Sequence, residues 1–204
     1  MLSLKRGCAG RPRPRPTTPG GGRPPRSRAM LGSMVISVRR ARVEDGPAQQ
    51  QIEIAAGKRF EEVEMSDVAG DEPPPLTLLA KYANEGRAWT AVDGDDCLPG
   101  YVLVSTVDGR AHIDQVSVSP EVQGQGIGRA LIDQVARWAL GLALTALTLT
   151  TFDSVLWNRP LYEHLGFRLL KVTEIGPELQ ALRKHETALG LDLNLRVCVL
   201  RDLA

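Results

Sequence analysis

The chain has 204 residues, of which 43% are hydrophobic and 24% charged, and its formal net charge is +1. This composition excludes a wholly disordered chain, because enough apolar residues are present for a sizeable core. Three widely spaced cysteines exclude a disulfide scaffold and favour reduced thiols in a cytoplasmic protein. No apolar run reaches the roughly 18–20 residues of a membrane helix, and no cysteine–histidine cluster has zinc-site spacing. We therefore expect no membrane segment and no metal.

Residues 1–33 differ in composition from the rest of the chain. They contain eight basic residues, no acidic residue, six prolines and six glycines, so this segment is predicted to be disordered. Three interpretations of this segment stay open: a basic arm for nucleic acid, a transit peptide, or sequence upstream of a true start at Met30 or Met34. The folded domain is predicted over residues 34–204. It has 17 basic and 24 acidic residues, a formal charge of −7, which favours cationic ligands.

The elements predicted along this domain alternate between strands and helices. The first half has a strand over 35–41, a helix over 47–58, an acidic loop over 60–75, a short helix over 76–85, and strands over 88–92, 100–107 and 111–118. The second half has a helix over 129–138, a strand over 146–151, a helix over 156–165, a strand over 167–172, a helix over 179–189 and a strand over 194–200. This order predicts an α/β fold, in which helices flank a mixed, mostly antiparallel sheet.

A glycine-rich turn joins the strand at 111–118 to the next helix. Residues 116–131 read V-S-V-S-P-E-V-Q-G-Q-G-I-G-R-A-L. Glycines at a helix start let the backbone approach a ligand closely, and the free N–H groups favour a phosphate. The dinucleotide fingerprint does not fit, because the third glycine comes one position early and no acidic residue follows at the required distance. The Walker pattern does not fit, because no lysine follows the glycines.

The pattern Gln-x-x-Gly-x-Gly, made by Gln123, Gly126 and Gly128, resembles the GNAT superfamily of acetyl-CoA-dependent N-acetyltransferases. A second segment, T-F-D-S-V-L-W-N-R-P-L-Y-E-H-L-G-F over residues 151–167, is similar to the family's second cofactor segment through Asn158, Tyr162 and the Leu-Gly-Phe that ends it. The resemblance extends over residues 35–172. It implies a GNAT-type sheet, an acyltransferase activity and acetyl-CoA as co-substrate.

The resemblance also implies which residues contact the coenzyme. In the family, the pyrophosphate lies on the glycine-rich loop and the pantetheine arm pairs with the preceding strand, where an N–H near Val118 would polarise the thioester carbonyl. The implied contacts are Val116, Ser117, Val118, Gln123, Gly124, Gln125, Gly126, Ile127, Gly128, Arg129 and Asn158. Tyr162 matches the usual acid that protonates the leaving thiolate, although a packed aromatic also explains it. Helix capping is an equal explanation for Asn158.

The residue that takes a proton from the amine is sought on the strand A-H-I-D-Q-V-S-V, residues 111–118. This strand resembles the A-H-L-H strand of the arylalkylamine N-acetyltransferases, so His112 matches the first imidazole and Asp114 replaces the second. Alternation places His112, Asp114, Val116 and Val118 on one face, opposite Ile113, Gln115 and Ser117. A hydrogen-bonded strand pair explains His112 and Asp114 equally simply. Glu53 is a weaker candidate, because a solvated helix face also explains it.

These observations predict transfer of the acetyl group of acetyl-CoA to the primary amine of a small cationic molecule, by direct attack in a ternary complex. The main alternative is a non-catalytic acetyl-CoA-binding module or sensor. A nucleic-acid-associated enzyme that uses the basic tail is a third hypothesis, and nucleic acid is not the expected partner. The sequence T-L-T-T-F over 148–152 differs from the acidic strand typical of relatives that acetylate protein N-termini. A homodimer contact through residues 173–204 is a further hypothesis.

Overall fold

A computed structural model of the chain describes residues 36–57, 72–153, 158–188 and 196–203. The described residues form a seven-stranded sheet in the order β1-β2-β3-β4-β5-β7-β6. The strands are β1 Ser37–Arg40, β2 Ala88–Val92, β3 Gly100–Val107, β4 Arg110–Val118, β5 Ala146–Phe152, β6 Arg168–Leu169 and β7 Arg196–Asp202. The helices are α1 Gly46–Gly57, α2 Leu76–Asn84, α3 Ile127–Gly141, α4 Asn158–His164 and α5 Pro177–Ala188. All neighbouring strands are antiparallel except β4 and β5, so the predicted mixed, mostly antiparallel α/β fold is confirmed.

Most predicted elements are present, and the largest difference is at β6. The strand predicted over 167–172 pairs with β7 only at Arg168 and Leu169, after which a 3₁₀ turn occupies Val172–Glu174. The predicted tail, residues 1–33, and most of the acidic loop at 60–75 lie outside the described residues. The division into residues 1–33 and 34–204 therefore stays a prediction.

Helices cover the two faces of the sheet, and each face has its own apolar cluster. α3 packs against one face through Leu131, Ile132 and Val135, which meet the inward side chains of β3, β4 and β5. α1 and α2 cover the other face, where Ile52 and Leu79 pack with the side chains of β3. α5 covers a third small cluster on the face of α1 and α2. Burial of these apolar stripes stabilises the helices on the sheet.

Cys198 of β7 is a free, buried thiol, as predicted for the cysteines of this chain. Cys8 lies outside the described residues.

Two kinds of feature are absent from the described ranges. None of the helices there combines the length and apolar composition that a bilayer crossing needs. Within the same ranges, no three His, Cys, Asp or Glu side chains group in a way that could hold a metal ion.

Candidate active site

β4 and β5 are parallel neighbours that separate soon after they meet. Their Cα pairing covers only Ala111 with Leu147 and His112 with Thr148. Both strands then continue, β4 to Val118 and β5 to Phe152, without pairing to each other. Backbone groups along diverging strand edges can pair with an extended ligand, as in other cases of strand addition. The fold therefore opens a wedge at this point of the sheet.

The glycine-rich loop lies at the open end of this wedge. Gly124 and Gly126 have φ angles of 76° and 82°, a region that side chains disfavour, while an added Cβ at either position would meet nothing within 4 Å. α3 starts at Ile127, two residues earlier than predicted, so its first free N–H groups follow directly on the glycines. These N–H groups and the helix dipole favour an anion at this end of α3.

The side chains of the loop have different surroundings. Ile127 is 2% exposed and packs in the core, so only its backbone can face a ligand. The Gln123 amide donates to the Val118 carbonyl at 3.3 Å, which ties the loop to the end of β4. Arg129 is exposed, and its guanidinium donates to the His164 carbonyl at 3.4 Å. Gln125 is exposed, and a Cβ added at Gly128 would lie 3.9 Å from the Val118 side chain.

A cavity of about 870 Å³ joins the wedge to the loop. Its lining includes residues 113–118 of β4, 149–152 of β5, the start of α3, and Glu53 and Tyr162 from the flanking helices. This volume lies within the range of roughly 300–1,000 Å³ that is usual for small-molecule sites. The glycine cradle, the helix start and the wedge between the strands match the needs of a long ligand with a phosphate group near one end.

A β-bulge in β4 changes the predicted faces of the strand. Leu103 pairs with Gln115, whereas Val104 pairs with Ile113, so Asp114 is an extra residue in β4. Gln115 and Ser117 consequently lie on the same side as Asp114, where they contact Glu53 of α1. Val116 and Val118 pack instead with Ile113 on the α3 side. The predicted alternation was therefore wrong beyond Asp114, because the sequence does not reveal the bulge.

Asp114 lines the cavity between two hydroxyl donors. Ser105 of β3 donates to Oδ1 at 2.8 Å, and Tyr82 of α2 donates to Oδ2 at 3.1 Å. Burial raises the pKa of Asp114 to about 6, although the two donors and the positive charge of Arg87 lower it. This carboxyl group is therefore ionised at pH 7, and its raised pKa makes it a stronger proton acceptor than an ordinary carboxylate.

Glu53 is the second carboxylate of the same face. It accepts hydrogen bonds from the Tyr101 hydroxyl at 2.7 Å, the Ser117 hydroxyl at 2.6 Å and the Gln115 amide at 2.8 Å. Burial and the neighbouring Glu53 both raise the pKa of Tyr101, so its hydroxyl stays a donor. In the described part of the chain, neither Glu53 nor Asp114 forms an ion pair with Lys or Arg.

His112 lies at the closed end of the wedge and is not among the residues that line the cavity. It is 1% exposed, and its Nδ1 lies 2.9 Å from Oγ1 of Thr148 on β5. Burial lowers the pKa of His112 to about 4, with a smaller contribution from Arg196. The imidazole is therefore neutral at physiological pH, and it joins the last paired rung of β4 and β5. It hydrogen-bonds to Thr148, whereas the expected partner, Asp114, bonds to Ser105 and Tyr82.

Tyr162 lines the cavity from α4 and packs edge-on against Phe167, with ring centroids 5.7 Å apart. Burial raises the pKa of Tyr162 to about 12, although Arg196 lowers it. The phenol is therefore protonated throughout the physiological range. Asn158 is the first residue of the same helix, and its side chain lies outside the described part of the chain.

A sequence profile of the Acetyltransferase (GNAT) family matches residues 57–167, which is just over half of the chain. The chain belongs to this family. The GNAT match spans the wedge, the glycine-rich loop, the β-bulge and Tyr162. The predicted family, the acyltransferase class and acetyl-CoA as co-substrate are therefore confirmed at the level of the family.

Several named GNAT proteins are similar to the chain. The peptidyl-lysine N-acetyltransferase YjaB of Salmonella typhimurium is 27% identical over 143 residues, covering 70% of this chain and 90% of YjaB. The thialysine N-epsilon-acetyltransferase of Sus scrofa is 37% identical over 86 residues, covering 38% of this chain and 49% of that enzyme. The structure of PaiA N-acetyltransferase from Thermoplasma acidophilum in complex with coenzyme A has a TM-score of 0.60 at 12% identity, and covers 83% of this chain and 99% of PaiA. The last comparison shows the shared GNAT fold.

A polar cluster lines the cavity on the side of β5, β7 and α5, and the sequence did not predict it. Arg196 of β7 donates to Glu186 of α5 at 3.0 Å and to the Thr150 hydroxyl at 2.8 Å, and its guanidinium lies 4.7 Å from the ring centre of Phe152. The Arg196 and Glu186 side chains are only 12% and 14% exposed. Sequence reasoning missed this cluster because its members come from three separate elements. The same reason applies to Tyr82 and Ser105.

Proposed function

We propose that this chain transfers the acetyl group of acetyl-CoA to the primary amine of a small cationic molecule, by direct attack in a ternary complex. The observation that carries the acceptor class is the pair Glu53 and Asp114. Both carboxylates line the cavity, and both are hydrogen-bonded by neutral groups. Among the described residues neither carboxylate has a Lys or Arg ion-pair partner, and a half-buried negative charge of this kind favours a cationic ligand. The names of the relatives, which specify peptidyl-lysine and thialysine, support an amine acceptor.

The coenzyme is proposed to occupy the loop and the wedge. The N–H groups of residues 123–129 would hold the pyrophosphate, with the left-handed conformations of Gly124 and Gly126 setting their direction. The edges of Val116, Ser117 and Val118 would pair with the pantetheine arm. Asn158 keeps its proposed contact with the coenzyme. Acetyl-CoA supplies the acetyl group as an activated thioester.

Asp114 is proposed as the group that takes the proton from the acceptor ammonium, directly or through one water molecule. An ammonium has no lone pair, so this transfer must precede attack. A pKa of about 6 suits the task, because the carboxylate is ionised at pH 7 and still basic enough to accept a proton. His112 keeps a proposed role as a positioning residue, because its contact with Thr148 holds β4 and β5 together where the wedge begins.

Tyr162 is proposed as the acid. As the amine nitrogen forms its bond to the acetyl carbon, the carbon–sulfur bond breaks and the sulfur takes the phenolic proton. The nitrogen then loses its second proton to solvent, Asp114 releases to solvent the proton that it took up, and Tyr162 regains a proton from solvent. The raised pKa of Tyr162 keeps the proton available at the start of each cycle. The positive charge of Arg196 opposes that rise and so eases the release.

The test is release of free thiol from acetyl-CoA by the full chain, with 1,5-diaminopentane, lysine and a lysine-containing peptide as cationic acceptors. A neutral hydroxylated amide of similar size serves as the control acceptor. We expect thiol release and an N-acetylated product with at least one of the cationic amines. Coenzyme binding with no release for any acceptor would favour the non-catalytic module instead.

A further inference from the structure

Asp114 owes its position to three different elements. The bulge in β4 turns Asp114 towards α2, and the carboxylate is then held between Ser105 of β3 and Tyr82 of α2. Each oxygen has one donor, so rotation of the carboxylate would break both hydrogen bonds. Two opposed donors fix a carboxylate plane more firmly than one.

Tyr82 is itself held in place from outside the cavity. The guanidinium of Arg87 lies 5.2 Å from the centre of the Tyr82 ring. Tyr82 also packs at the edge of the cluster formed by Leu79, Tyr101 and Leu103. The Tyr82 hydroxyl therefore reaches Asp114 from a helix whose position the core determines. Tyr82 does not line the cavity, so it acts on a ligand only through another residue.

Burial raises the pKa of Tyr82 to about 12, and the adjacent Asp114 contributes to the rise. Tyr82 is consequently a permanent donor at every pH at which the enzyme would work. The donated hydrogen bond favours the ionised form of Asp114, as do the Ser105 hydroxyl and the charge of Arg87, whereas burial opposes it. The same face also has a hydrogen-bonded group of Glu53, Tyr101, Gln115 and Ser117.

We propose that Tyr82 is a positioning residue for acetyl transfer: its hydroxyl orients Asp114 towards the acceptor amine and keeps it ionised, which makes α2 part of the acceptor site. This inference rests on the proposed role of Asp114. It adds a residue from a helix outside both cofactor segments.

The test is the pH dependence of kcat/KM for Tyr82→Phe in the full chain. The acid limb, which is the fall of kcat/KM at low pH, is expected near pH 6 in the wild type. Loss of one hydrogen bond to a charged group disfavours the carboxylate, so this limb should move up by about 0.5–1 pH unit. Above this limb the rate should recover to within about threefold of wild type. Ser105→Ala should move the limb in the same direction without touching α2. Thr77→Ala, which removes an exposed hydroxyl from α2, is the matched control and should leave the limb in place.

The outcomes separate the inference from the proposed function. A wild-type enzyme with no thiol release would overturn the proposed function and, with it, the role of Tyr82. An active wild type whose limb is unchanged in Tyr82→Phe would overturn the inference alone. A rate that falls equally at all pH values, with a lower melting temperature, would mean that Tyr82 only stabilises the fold, and would also overturn it.

Discussion

Replacement of Asp114 by asparagine should strongly reduce activity and yet make the protein more stable at neutral and alkaline pH. The carboxyl group is buried among groups that do not neutralise it, and its pKa rises from 3.8 to about 6. The folded state therefore holds the ionised form less well than the unfolded chain does. Asparagine has the same shape and can keep hydrogen bonds to both Ser105 and Tyr82, whose hydroxyls can reorient.

The size of the effect follows from the shift in pKa. A rise of about two pH units corresponds to about 3 kcal/mol at most, since each unit is worth about 1.4 kcal/mol. Partial exposure of the carboxylate reduces this, so we expect a gain of about 1–3 kcal/mol in the free energy of unfolding. Because the pKa of Asp114 is raised, the wild-type protein loses free energy of unfolding as the pH rises from about 4 to about 6 and the buried acid ionises. The gain should therefore be absent below pH 4 and constant above pH 7.

Denaturant unfolding of wild type and Asp114→Asn at pH 4, 5.5 and 8 measures this difference. Thiol release in parallel should show a loss of about 10²–10⁴ in kcat, which is the usual contribution of a positioned base. A variant that is less stable than wild type at pH 8 would contradict the reasoning. A gain of the same size at every pH would also contradict it, because a titrating group could not be the cause.

The remaining predictions concern the coenzyme loop, the proposed acid and the closed end of the wedge. Gly126→Asp should abolish acetyl-CoA binding, because it forces a side chain into φ 82° and places a negative charge at the helix start; calorimetry checks this, with Gly141→Ala as control. Normal binding by Gly126→Asp would refute the loop assignment. Tyr162→Phe should lower kcat by about 10²-fold or more with an unchanged Kd for acetyl-CoA; an equal loss of binding would assign Tyr162 to packing instead. His112→Asn should leave the acid limb near pH 6 unmoved while lowering the melting temperature, because His112 is neutral above pH 4 and joins β4 to β5. Disappearance of that limb would instead make His112 the base.

Local sequence signals predicted the elements that local chemistry determines. β2 and β3 have the predicted bounds, because glycine and the DGDD turn mark their ends. The start of α3 was predicted two residues late, because glycines in the first turn were interpreted as loop. β6 is shorter than its apolar run, because it is an edge strand with only β7 as a partner, and Arg168 instead pairs with Glu174 after the chain turns.

The loop and wedge that we propose for the coenzyme could be read from the sequence, whereas the hydrogen-bonded face that we propose for the acceptor could not. The bulge at Asp114 depends on pairing with β3, so alternation along β4 alone gave the wrong faces for Gln115 and Ser117. The local sequence favours a solvated helix face for Glu53, because its partners Ser117 and Gln115 are more than 60 residues away. These contacts arise from the packing of α1 on the sheet, which no local pattern encodes.

The most direct test of the account is the initial rate of thiol release by the full chain, with acetyl-CoA and a cationic primary amine both varied. Mass spectrometry of the same mixtures identifies the product. We expect an N-acetylated amine and intersecting double-reciprocal lines, because the amine attacks acetyl-CoA in a ternary complex. Parallel lines with an acetylated enzyme intermediate would contradict direct attack. Tight binding of acetyl-CoA without any thiol release across the cationic amines would contradict the central claim.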